Sequence, residues 1–125
     1  MRSLLQFAVV AALAAAATLN AKPAAAVTGV PDGHWSVLVI TERGDCDRAY
    51  RYALRVANGH VSYDGDAKVN MAGTVTPAGL VNVSIRLGSK GAEGTGQLSG
   101  GTGAGTWHGI GPNATCAGRW EAERH

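Results

Sequence analysis

Ala49-Tyr50-Arg51-Tyr52-Ala53-Leu54-Arg55-Val56-Ala57-Asn58-Gly59-His60-Val61-Ser62-Tyr63 is the stretch on which the fold turns. Tyr50, Tyr52, Leu54 and Val56 alternate with Arg51 and Arg55, the period of a strand with one face in a core and the other in water. Asn58-Gly59 then supplies the two positive-φ positions of a type I′ turn, the strongest short-range hairpin signal. Val61 and Tyr63 bring apolar side chains back to the inner face. The segment therefore predicts a hairpin.

The same grammar continues on both sides. Asp64-Gly65-Asp66 turns the chain into 68–76, where Val69, Met71 and Val75 alternate with Lys68, Asn70 and Thr74. Pro77-Ala78-Gly79 is a tight turn, and 80–87 repeats the pattern with Val81, Val83, Ile85 and Leu87 on one face. Gly88 to Gly91 leads into 92–99, a glycine turn into 104–108 with Trp107 inward, and the last strand spans 116–124 with Gly118, Trp120 and Ala122 inward. Upstream, 34–41 puts Trp35, Val37 and Val39 on one face and Leu38 and Ile40 on the other, which predicts a strand that is central or covered on both sides. Gly94, Gly96, Gly101, Gly103, Gly105, Gly109 and Gly118 recur beside the tryptophans, and glycine in strands marks bulges or places where a large side chain lies across the backbone. A glycine floor is expected under Trp107 and Trp120. No helical period persists after the leader. The fold class is all-β: an antiparallel meander of about eight short strands closing into a small barrel, with a β-sandwich as the alternative.

Residues 1–26 have the layout of a secretory signal peptide and its helix: a short basic start, an Ala/Leu/Val run from Leu4 to Leu19, and cleavage after Ala26 or, as a second site, Ala21. The run is short for a membrane span. A linker, 27–32, then precedes one barrel domain, 33–125. Cleavage after Ala26 removes Arg2 and Lys22 from the 11 basic residues and leaves as many bases as the 9 acids. A near-neutral domain with arginines interleaved among acids excludes a nucleic-acid partner, which needs a clustered basic surface. In an oxidising compartment, periplasmic or secreted, Cys46 and Cys116 form one disulfide. If the last strand pairs with the first, the two cysteines meet at one end and close the barrel seam.

Catalytic residues are not expected. There is no nucleophile elbow, the cysteines are committed to the bridge, and Asp45, Asp47, Asp64 and Asp66 occupy turns that acids ordinarily cap. Asp64-Gly65-Asp66 lacks the ligand number of a calcium loop. His34, His60 and His108 are isolated rather than at zinc spacing, so neither a metal nor a cofactor is expected; a haem site would have to use one of them, with Met71 as a further ligand. Arg43-Gly44-Asp45 matches the integrin-binding tripeptide in a loop.

Two resemblances attach to particular residues. Gly33-His34-Trp35 resembles the opening of the calycin group, the lipocalin-like barrels and small bacterial metalloprotease inhibitors. That likeness implies an arginine of the last strand, Arg119 or Arg124, lying over Trp35, and an inhibitor of this type would insert its N-terminal segment, here 27–32, into a protease cleft. The block Asp45-Cys46-Asp47-Arg48-Ala49-Tyr50-Arg51-Tyr52, together with 73–79, 94–100 and Cys116-Ala117-Gly118-Arg119-Trp120, resembles small exported proteins of soil and symbiotic alphaproteobacteria, some labelled for haem utilisation or adhesion.

The aromatic residues read first as core. If a ligand site exists, it is expected at a barrel end, among Trp35, Arg119, Tyr50, Tyr52, Trp107 and Trp120. The function expected is a non-catalytic, exported or envelope-associated binding domain whose partner is a protein or small ligand, not nucleic acid, with no membrane attachment after cleavage. Alternatives are an inhibitor of an exported protease and a haem-related binding protein.

Overall fold

The computed structural model describes residues 31–125; the expected signal peptide, 1–26, and most of the expected linker, 27–32, lie outside the described residues. Eight strands follow one another: β1 (Gly33–Arg43), β2 (Ala49–Ala57), β3 (His60–Tyr63), β4 (Asn70–Val75), β5 (Leu80–Leu87), β6 (Lys90–Ser99), β7 (Thr102–Ile110) and β8 (Ala117–Arg124). Each is antiparallel to its sequence neighbour, and β1 pairs with β8, so the sheet closes into a barrel. A short 3-10 turn, Gly111–Asn113, interrupts the last connection. At the β2–β3 turn Asn58 has φ 53° and Gly59 φ 80°, the left-handed pair that the Asn-Gly sequence demands.

The seam forms as the cysteines imply. Register between β1 and β8 runs from Trp35↔Arg124 to Thr41↔Gly118, then slips between Thr41 and Arg43. Just beyond that irregularity Cys46 and Cys116 are disulfide-bonded, with Cα atoms 6.1 Å apart. Closure leaves β1 and β8 with no free edge to pair with another molecule.

Inward positions are those of the sequence alternation, but β1 departs from expectation on its other face. Leu38 and Ile40 are only half-buried. Among the described residues the one closed sheet carries no second layer outside; these residues are flanked by register neighbours instead, Leu38 lying between Arg51 and Glu121 and Ile40 between Ala49 and Arg119. Long charged side chains cover apolar surface with their stems while their heads stay in water.

The glycine floor is present under Trp120. A methyl group on Gly105 would stand 2.6 Å from Trp120 Cε2 and Nε1, one on Gly96 would meet Trp120 Cζ2, and one on Gly94 would sit 3.5 Å from Nε1. The indole thus lies flat across β7 and β6 in the space the missing side chains leave. Trp107 is different: of the two glycines opposite it, Gly94 would bring a methyl group no closer than 3.8 Å to its Cβ, and Gly118 is instead pressed against the backbone of Ile40 and Glu42.

Candidate functional site: the barrel interior

The two ends of the barrel are unlike. At the end holding the β2–β3, β4–β5 and β6–β7 turns, Trp35, Val56, Val61, Val75, Val81 and Leu98 are all buried. Arg124 covers Trp35 from outside, its guanidinium carbon 5.4 Å from the ring centroid, and donates to the Asp32 carbonyl at 3.2 Å. This end is plugged. At the disulfide end Tyr50, Tyr52, Tyr63, Met71 and Ile85 are half-buried and Leu87 is 39% exposed.

The cause is the length of β3. It pairs with β2 from Ala57↔His60 to Leu54↔Tyr63 and with β4 at only two positions, His60↔Thr74 and Val61↔Gly73. Past Asp64, whose N–H still donates to the Ala53 carbonyl, residues 64–69 form a loop rather than a strand. The upper parts of β2 and β4 are therefore bridged by a loop, and the tyrosines of β2 and β3 line this notch in the rim. Tyr50 and Tyr52 stack with centroids 6.2 Å apart, and Tyr52 meets Tyr63 edge-on, also at 6.2 Å.

Beneath the rim is a cavity of about 80 Å³, walled by Trp35, Tyr52, Met71, Val83, Trp107 and Trp120 among others. The wall is almost wholly apolar, and the indole N–H groups in it are already engaged. Trp35 Nε1 donates to the Pro31 carbonyl at 2.8 Å, Trp107 Nε1 to Ile40 at 2.9 Å and Trp120 Nε1 to Thr95 at 3.1 Å. Tyr50 and Tyr63 accept at their hydroxyl oxygens from the N–H groups of Asp47 and Ala67. The Tyr52 hydroxyl has no hydrogen-bond partner among the described residues. Burial, and then the neighbouring Tyr50 and Tyr63, push its pKa above the usual 10.0, so it remains a neutral donor.

Of the residues expected at a site, the structure brings Trp35, Tyr52, Trp107 and Trp120 to one cavity and sets Tyr50 at its rim. Arg119 does not join them. It faces out, exposed, and pairs with Glu42 at 2.9 Å and Glu121 at 3.7 Å; register puts it opposite Ile40, away from Trp35, and Arg124 is the arginine over that ring. Sequence reasoning did not single out Leu54 or Val83, which line the cavity, because their alternation marks them only as inward.

His34, His60 and His108 are exposed, and none lines the cavity. His34 contacts Asp64 at 3.0 Å and His108 contacts Glu93 at 3.6 Å. No cluster of three or more metal-ligating side chains occurs among the described residues. Gly44, inside the Arg-Gly-Asp tripeptide, has a structural cause: its φ is +91°, and a methyl group there would lie 2.7 Å from Cys116 Cα and 2.8 Å from its sulfur. No protein-family model matches the chain, and neither the curated proteins nor the solved structures give a match.

Proposed function

We propose that this chain is an exported, non-catalytic binding protein, periplasmic or secreted, that holds a small apolar ligand inside its barrel. The observation that carries the reading is the cavity: about 80 Å³ of apolar interior, plugged at one end and reached from a rim of half-buried tyrosines at the other. Small eight-stranded barrels either fill their interior or hold one small ligand, and this one is not filled. The disulfide fits an oxidising compartment, and no helix among the described residues is long and apolar enough to cross a membrane.

Three tryptophans line the cavity, so occupancy is readable from intrinsic emission and, independently, from xenon uptake by NMR. Saturable xenon binding that is abolished by the cavity-filling substitution Val83→Phe is expected. A native protein that takes up no xenon would sink the reading. A second reading, an inhibitor of an exported protease with a calycin-like barrel, is supported by Arg124 over Trp35. Equimolar protein should then inhibit a member of a panel of secreted metallo- and serine proteases, and lack of inhibition across the panel removes it.

A further inference from the structure

The walls of the cavity also describe its ligand, an inference that rests on the interior-binding reading above. Size decides shape. A cavity of roughly 150 Å³ accommodates a benzene ring; this one is about 80 Å³, too small for a ring below the rim but enough for the end of a narrow chain. The remainder of such a chain would lie along the rim, where Met71, Ile85 and Leu87 present apolar surface. Leu87 is one of only two exposed large hydrophobic residues among those described, and it stands on the inward face of β5.

Polarity decides the head. The three indole N–H groups are already bonded to backbone carbonyls, and the half-buried Tyr52, at the rim above this apolar wall, has a hydroxyl with no hydrogen-bond partner among the described residues. No lysine or arginine among the described residues lines the cavity. A carboxylate would lose its hydration there with no cation to offset the loss, whereas an uncharged oxygen needs only one donor. We propose that the barrel takes the end of an unbranched aliphatic chain whose outer part carries an uncharged oxygen acceptor, such as an ester or ketone, and that the Tyr52 hydroxyl donates to that oxygen.

The test titrates the disulfide-bonded protein with methyl octanoate, octanoate, n-octane and methyl benzoate, followed by tryptophan emission and calorimetry, in the native chain and in Tyr52→Phe and Tyr50→Phe. Methyl octanoate should bind tightest, and Tyr52→Phe should weaken it about fivefold to tenfold, the scale of one hydrogen bond, while leaving n-octane unchanged. Tyr50→Phe should leave both chains unchanged, and circular dichroism checks that each variant is folded. Methyl benzoate binding as tightly as the chain ester overturns the chain geometry, octanoate binding tighter than the ester overturns the uncharged head, and an unaltered ester affinity in folded Tyr52→Phe overturns the assigned donor. If xenon binds and none of the chains does, the interior site stands and this inference fails; if xenon does not bind either, the interior site itself is wrong.

Discussion

Gly105→Ala isolates the support beneath Trp120. Gly105 lies between Gly96 and Trp120 in register, and an added methyl would be 2.6 Å from two indole atoms while also running into the Thr95 carbonyl oxygen. That oxygen accepts the Trp120 indole N–H at 3.1 Å. The substitution therefore both overpacks the wall, at about 1–3 kcal/mol, and displaces a buried donor from its acceptor, at about 1–3 kcal/mol. Since the two effects share one displacement, they do not add in full, and a net loss of about 3 kcal/mol is expected. For a domain of this size that corresponds to roughly 15 °C in Tm. The control is Gly101→Ala, where a methyl group meets nothing within 4 Å; it reports the backbone-entropy gain of alanine alone, at most about 1 kcal/mol in the stabilising direction. Urea denaturation followed by tryptophan emission measures both. A Gly105→Ala loss under about 1 kcal/mol, or a change in stability indistinguishable from that of Gly101→Ala, would refute the account of Trp120 as resting on a glycine floor.

Removing the bridge with Cys46→Ala and Cys116→Ala together releases a loop of 70 residues in the unfolded chain, and the chain-entropy relation gives about 4 kcal/mol; a urea midpoint shifted by less than about 1 kcal/mol equivalent would contradict it. High pH should destabilise the barrel partly through Tyr52. Its phenol holds the proton more tightly when folded, through burial first and then through Tyr50 and Tyr63, than at the usual value of 10.0. This contribution is intact below that pH and is lost as pH rises through the folded-state pKa, because the unfolded chain ionises first. Tyr52→Phe should show a shallower stability decline above pH 10.0 than the native chain, and identical slopes would count against a desolvated Tyr52.

Most of the wall was legible because period-two alternation and turn chemistry act locally. Val81, Val83 and Ile85 declare their face without reference to any other strand, and Asn58-Gly59 fixes both the turn and the β2–β3 register. Cys46 and Cys116 then reported the seam, a long-range pairing that periodicity cannot reach. What alternation could not show was the quality of filling. Ala92, Gly94 and Gly96 point inward as regularly as Val81 and Val83 do, but whether the space they leave is taken up depends on where Trp120 comes to rest. The late start of β4 was hidden for a related reason, whereas the end of β3 at Tyr63 follows from the turn at Asp64-Gly65-Asp66. Val69 keeps the inward phase of Met71 and Val75, so 68–76 read as one strand, yet pairing starts only at Asn70 and residues 64–69 are left to shape the rim. Leu38 and Ile40 misled because alternation lost to apolar residues on both faces signals a second layer only where charged stems are not available to shield one of them.

The backbone of this fold also closes head to tail. The His125 N–H donates to the His34 carbonyl at 2.9 Å, so the last residue is bonded beside the first strand's start, and every other connection is a turn or loop between adjacent strands. Seen as a ring of eight antiparallel strands, seven of whose eight junctions are turns or loops, the barrel ladder has no intrinsic beginning. The break between β8 and β1 is crossed by an antiparallel ladder like the other junctions, and a chain joined there and opened at Gly100-Gly101 is expected to retain every ladder.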